Sequence, residues 1–525
     1  MSMPPGLGTP DAFGWVALVA WVPLLSRWRT HGTPERSVQE ALLMGSVAGM
    51  VAFGWGVQHP FWPAALASVG VVALWALSLA VPWAAGAAFV RRGAFGRAYA
   101  VWIAAALALD ALWSMGPWAL PWGRIGHALA AVPVVPWLVA GWGVGGLSAC
   151  VLLGNALATE LWLAYRAGAT PGESSLHSAA GVRALVLGSL LAGLVGHAVM
   201  LNRIAFTPAR DGRHAAATQP TLFLVQPGTS PHDWAALDAP QRVSDLQALT
   251  NAALDTAATP PALAVWPETA LPPVHHDSLR HRVQQWVNRT GVPLLTGAIA
   301  PVSDSAASLP EGPYRHANRL YLLRPHKPVQ AYDKHHLVPF VERVPGASVL
   351  SALGALAVSG GGVAGYRRGP GPQTLGTGGL RIAPLICLES VVGPYVWRAV
   401  QQALRPHVLI TASHTGWWNS PRPGRQHLAF SRLRSLETGT PLALVTVRGP
   451  TALVHPDGRL SRRLPWTARG VLAVALPAPR PPPSPVRIGP LAWLGIGGLL
   501  LALAGIPWRR LRKCAAHWLH CSFAS

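Results

Sequence analysis

Three runs of the sequence end on side chains that could act together as a nucleophile, a base and a cation. The apolar run Ala262-Leu263-Ala264-Val265-Trp266 leads through Pro267 to Glu268, Tyr332-Asp333 leads to Lys334, and the run from Leu380 to Ile386 leads to Cys387, with Glu389 two residues on. A base that takes the thiol proton makes a nucleophile, and a fixed ammonium can hold the negative charge that builds on a carbonyl under attack. Composition singles out Lys334, because only Lys327, Lys334 and Lys513 among the 42 basic residues are lysine. Arginine is this chain's usual cation, so an ammonium at 334 asks for a reason. Each residue alone also has a plain structural reading: a free Cys is most often a small core residue, and a Lys is usually solvated.

The elements that must position these groups read as an α/β alternation from about residue 220. Strand-like runs are 221–225, 262–266, 293–296, 380–387, 407–411 and 441–447, with helical stretches near 240–257, 278–290, 391–404 and 425–438. Reactive groups at the carboxyl ends of strands are where open α/β sheets place their sites.

The first 200 residues have a different character. With 51% hydrophobic and 12% charged residues, the chain departs from the roughly 25% charged of an ordinary soluble domain. Residues 41–90 contain no Asp, Glu, Lys or Arg, enough for two membrane spans with a turn near His59-Pro60. Further spans are expected at 12–26, 98–118, 132–159, 184–202 and 488–508, seven in all. Short arginine-rich loops stay on the cytoplasmic side. The loop 91–97, the stretch from Arg166 to Arg183 and the tail 509–513 are therefore expected inside, and the segment 203–487 outside. Asp110 is the one carboxylate inside the 98–118 span, either a functional group or a partner of Arg124.

A net charge of +22 raises a nucleic-acid reading, but the basic residues are scattered rather than gathered in one patch. Cys150, Cys387, Cys514 and Cys521 form no CxxC pair, so neither a disulfide framework nor a structural zinc site is expected. With no metal cluster, phosphate loop or dinucleotide fingerprint, no cofactor is expected either.

The order Glu268, Lys334, Cys387 resembles the nitrilase, or carbon-nitrogen hydrolase, superfamily. The words narrow it: Lys334-His335-His336-Leu337-Val338-Pro339-Phe340-Val341-Glu342-Arg343-Val344-Pro345 is similar to the lysine motif of the apolipoprotein N-acyltransferases, as is Gln426-His427 followed by Arg432, Arg434, Glu437 and Pro441. The resemblance implies a multi-pass α-helical membrane domain (1–202), an α/β nitrilase-like domain of α-β-β-α sandwich form (203–487), a last membrane helix (488–508) and a basic cytoplasmic tail (509–525). It also implies an enzyme of the bacterial inner membrane, with its catalytic domain in the periplasm, that moves an acyl chain from a phospholipid through a Cys387 thioester to the N-terminal amine of a diacylated lipoprotein. In that reaction Glu268 would be general base and acid and Lys334 the oxyanion partner. Glu342 and Glu389 would support the site, and Trp234 would sit near the lipid entrance. Leu388, the run Ser413 to Trp418 and Val447-Arg448-Gly449 differ from the acyltransferase pattern and bear on substrate choice. A second reading is a nitrilase-like membrane protein of conjugal-transfer type with another amide or acyl substrate, and a third is a scaffold that keeps the domain for partner binding.

Overall fold

In a computed structural model of the chain, the structure describes residues 12–480 apart from 32, 59–61, 116–118, 133–135, 168–178, 206–218, 231–232, 235–237, 274, 303–315, 340, 344–365 and 419. The first part is a helical bundle of α1 (Ala12–Val16), α2 (Val22–His31), α3 (Pro34–Phe53), α4 (Trp62–Val90), α5 (Phe95–Leu112), α6 (Pro136–Arg166) and α7 (Ala179–Ala205). Five stretches of it, Glu35–Val57, Ser68–Val90, Phe95–Leu112, Gly141–Arg166 and Gly181–Ala198, are long and apolar enough to cross a membrane. The seventh expected span, 488–508, lies outside the described residues.

Residues 12–26, expected as one short span, are instead broken between α1 and α2. Asn155, buried on α6, bridges the break: its Nδ2 donates to Ala17 O and its Oδ1 accepts from Trp21 N, both at 2.7 Å. Backbone groups freed by a broken helix in an apolar setting must find partners on a neighbouring helix, and Asn155 supplies them. Asp110 is likewise structural. It accepts from Arg124 Nε and Nη2 at 3.0 and 2.7 Å, from Ile125 N at 2.8 Å and from Ser148 Oγ at 2.9 Å, which pins the loop after α5 to α6.

The second part is a four-layer sandwich. One six-stranded sheet runs β12-β1-β2-β3-β4-β5 and the other β11-β10-β9-β8-β7-β6. The strands are β1 (Thr221–Gln226), β2 (Leu263–Val265), β3 (Leu294–Pro301), β4 (His316–Leu323), β5 (Gln330–Asp333), β6 (Leu375–Thr377), β7 (Leu380–Ile386), β8 (Val408–Ser413), β9 (Leu442–Thr446), β10 (Thr451–Val454), β11 (Leu460–Leu464) and β12 (Gly470–Ala475). In each sheet three neighbouring strands are parallel (β1-β2-β3 and β7-β8-β9) and the flanking strands antiparallel. Side chains from both inner faces, among them Leu224, Val265, Leu320, Ile382 and Ile410, form the central core. Helices α8 (Ala239–Asp255) and α9 (His276–Thr290) cover the first sheet, and α10 (Gly393–Val400) and α11 (Pro421–Thr438) the second.

Helix α11 also joins the two parts, because it packs on α6. Gln426 Oε1 accepts from the indole N–H of Trp55 at 3.0 Å and of Trp122 at 2.9 Å. Further along, Glu437 Oε1 accepts from Val144 N at 3.1 Å. Gly143 has φ 65° and ψ −168°, a conformation open essentially to glycine alone, so α6 breaks there and restarts at Val144. A carboxylate of the sandwich thus caps a new helix N-terminus in the bundle, and Arg434 holds that carboxylate at 3.0 Å.

Candidate active site

All three reactive groups leave the carboxyl ends of strands facing one another: Glu268 after β2, Lys334 after β5 and Cys387 after β7. The first two meet directly. Lys334, 1% exposed, places Nζ 2.7 Å from Glu342 Oε1 and 3.7 Å from Glu268 Oε1. Asn318, on β4 beside Lys334, donates from Nδ2 to Glu268 Oε1 at 2.8 Å and to Glu342 Oε1 at 3.0 Å. His414 N donates to Glu268 Oε2 at 2.7 Å and Val338 N to Glu342 Oε2 at 2.8 Å, so both carboxylates are fixed from two sides.

Cys387 and the residue that follows Glu268 carry backbone strain. Cys387 opens a short 3₁₀ turn, Cys387–Val391, at φ 50°, and Thr269, next to Glu268, has φ 59°. A residue other than glycine in this region costs on the order of 1–3 kcal/mol and persists only where its surroundings hold it. Gly297 makes room for the Glu268 turn, because a Cβ there would meet Glu268 Cα at 2.6 Å. For Cys387 the turn ends the strand one residue earlier than the apolar run predicts, so the thiol leaves from the strand's end rather than from within the sheet.

Glu389 ties the cysteine turn to the lysine loop. Its buried carboxylate accepts from Ile386 N at 2.8 Å, from His335 N at 2.7 Å, from His336 N at 3.0 Å and from the Tyr332 hydroxyl at 2.7 Å. On the other side of the cysteine, His427 of α11 bonds Ser390 Oγ at 2.7 Å, and Ser390 Oγ donates to Cys387 O at 3.1 Å.

Electrostatics set the resting protonation. Burial, with Glu268 adding to it, pushes the Cys387 thiol up to about 12, so it rests protonated. Burial also raises Glu268 above the usual carboxylate range, against the pull of Lys334. Burial works against the Lys334 ammonium, yet Glu342 and Glu268 outweigh it and hold its pKa above the ordinary lysine value. Burial drives His414 down to about 3 and His427 down to about 4, leaving both neutral near pH 7. The set can take a proton from a thiol at Glu268 and hold a developing oxyanion at Lys334.

The expected residues are distributed unequally. Glu268, Lys334 and Glu342 form one cluster with Cys387 opposite, and Glu389 lies beneath the loops that carry Lys334 and Cys387. Trp234, expected near a lipid entrance, is 3% exposed behind the Glu268 turn, where its Nε1 donates to Thr269 Oγ1 at 3.3 Å and its ring meets His414 edge-on at 6.1 Å. Asn318 and Arg242 have no place in the sequence pattern, since a lone Asn or Arg carries no spacing signal. The nucleophile turn is seated on the bundle: Leu388 and Val391 share a buried cluster with Trp21, Trp75 and Leu147 of the helical part and with Phe430 of α11.

Residues 216–480, about half the chain, match the carbon-nitrogen hydrolase family. An apolipoprotein N-acyltransferase of Ralstonia nicotianae is 33% identical over 258 residues, 48% of this chain and 46% of that protein. Longer alignments, at 28% and 27% identity, join it to apolipoprotein N-acyltransferases of Allorhizobium ampelinum (90% of this chain, 88% of that protein) and Sinorhizobium fredii (95% and 92%). Among solved structures, an amidase from Nesterenkonia sp. is 19% identical with a TM-score of 0.36, covering 50% of this chain and 91% of that one. The sandwich, its matched segment and the long alignments lead to one conclusion: the chain belongs to the carbon-nitrogen hydrolase family, in the branch of the apolipoprotein N-acyltransferases.

Proposed function

We propose that this enzyme transfers a fatty acyl chain from a phospholipid to the N-terminal amine of a diacylglyceryl-modified lipoprotein, by way of a thioester on Cys387. In the first half-reaction Cys387 Sγ attacks the acyl ester carbonyl while Glu268 takes the thiol proton. Lys334 stabilises the tetrahedral oxyanion. Collapse breaks the ester C–O bond, and Glu268 returns its proton to the departing lysophospholipid oxygen. In the second, the lipoprotein amine attacks the thioester, Glu268 accepts the amine proton, and the sulfur leaves and is reprotonated. Glu342 orients Lys334, and Glu389 holds the two loops in register.

The observation that carries this reading is the seating of the nucleophile turn in the apolar core of the helical bundle, through Leu388 and Val391. A thiol so placed meets acyl chains at the membrane rather than soluble amides. The domain from 203 to 487 then faces the periplasm of a bacterial inner membrane, with the arginine loops 91–97 and 166–183 on the cytoplasmic side and the substrates in the outer leaflet. Complementation tests the substrate pair: the gene should support growth of a strain depleted of its lipoprotein N-acyltransferase and restore triacylated lipoprotein. Growth failure with stable, membrane-inserted protein would overturn it.

A further inference from the structure

Behind Glu268 lies a cation that the reaction does not use. Arg242, on α8, is 7% exposed, and among the described residues no carboxylate pairs with it. Its guanidinium is spent on backbone and on a ring. Nη1 donates to Thr269 O at 3.3 Å, Nη2 donates to Trp234 O, and the carbon between them lies 4.5 Å from the centre of the Trp234 ring. Both residues it grips bear on the base: Thr269 is the left-handed residue that follows Glu268, and Trp234 bonds the Thr269 hydroxyl and packs on His414, whose N–H donates to Glu268 Oε2. A buried guanidinium is expensive without an acid partner, and a planar fork can bind two carbonyls at fixed angles where an ammonium cannot.

We propose that Arg242 is a positioning residue for Glu268: it holds the Thr269 turn, with Trp234 as its platform, so that the carboxylate stays aimed at the Cys387 thiol. This gives Trp234 a bracing function. The inference rests on Glu268 acting as the base of the proposed reaction and on nothing about the lipid.

The test is alkylation of Cys387 by iodoacetamide in the full-length protein, with the other three cysteines replaced by Ser, because it reads the base without any acyl donor. Glu268→Gln should slow alkylation about a hundredfold and Arg242→Met about tenfold. The double variant should be no slower than Glu268→Gln alone, since a residue that acts through the base has nothing left to act on. Arg242→Lys, which keeps the charge on the ring but reaches one carbonyl, should lose about threefold, again only when Glu268 is present. It carries the same cycle if Arg242→Met does not fold. Wild-type alkylation by Arg242→Met, or losses that multiply with that of Glu268→Gln, would overturn the proposal. Phosphatidylethanolamine vesicles separate the two claims: an intact cycle in a protein that forms no acyl adduct with them would sink the phospholipid reading and leave Arg242 in place.

Discussion

Lys334 Nζ lies 2.7 Å from Glu342 Oε1, a full ångström closer than to Glu268, so the ammonium is held chiefly by the carboxylate that takes no proton in the proposed reaction. Glu342→Gln should release Lys334 toward Glu268 and remove the like charge that helps to raise the base. Both changes lower the Glu268 pKa. The acid limb of kcat/KM should therefore move to lower pH while the plateau falls by about tenfold to a hundredfold, in a pH-rate series on purified enzyme. An unmoved limb would place Glu342 outside this circuit.

Lys334→Arg should leave the protein folded and membrane-inserted but cost on the order of a hundredfold to a thousandfold in turnover. A guanidinium is larger than an ammonium, and the site between Glu268, Glu342 and Asn318 is closed. Lys327, which is exposed, should tolerate the same change without effect.

Glu389 predicts a pH dependence of stability. Burial, against hydrogen bonds from Tyr332, His336 and Ile386, holds its pKa near 7. Between the ordinary carboxylate range and pH 7 the folded protein keeps a proton that the unfolded chain releases. The stability contributed by Glu389 is thus full below that range and is lost as pH rises through 7. Glu389→Gln should flatten this slope in thermal unfolding measured from pH 5 to 8.

The cap that Glu437 places on the second half of α6 should be measurable as well. Glu437→Ala leaves the buried Val144 N–H and Arg434 without their acceptor and should destabilise by about 1–3 kcal/mol. Glu437→Gln, which keeps an acceptor, should cost less. Gly143→Ala should be at least as harmful as Glu437→Gln, since a Cβ is strained at φ 65° whatever space surrounds it. Thermal unfolding in detergent ranks the three.

Glu268 and Cys387 were legible because each follows an apolar run that is a strand, whereas β5, which carries Lys334, was not, since Gln330 and Asp333 break its apolar character and the lysine stood out by composition instead. The parallel strands were legible for the same reason, being buried and almost wholly apolar. Strands β4 and β11 were not, since His316, Asn318 and Arg319 in the one and Arg462 and Arg463 in the other break the apolar run. The break between α1 and α2 was hidden because its partner, Asn155, lies far away in sequence. The function of Gln426 and Glu437 as anchors to the bundle needed the packing of α11 on α6 to be seen.

The proposed transfer rests on an acyl chain carried by Cys387. Intact-mass analysis of the full-length protein after incubation with phospholipid vesicles addresses it directly. One hydroxylamine-labile acyl adduct is expected, present in wild type, absent in Cys387→Ala and discharged by a diacylated lipopeptide with a free N-terminal amine. An adduct that survives Cys387→Ala, or none in wild-type protein that is folded and membrane-inserted, would contradict it.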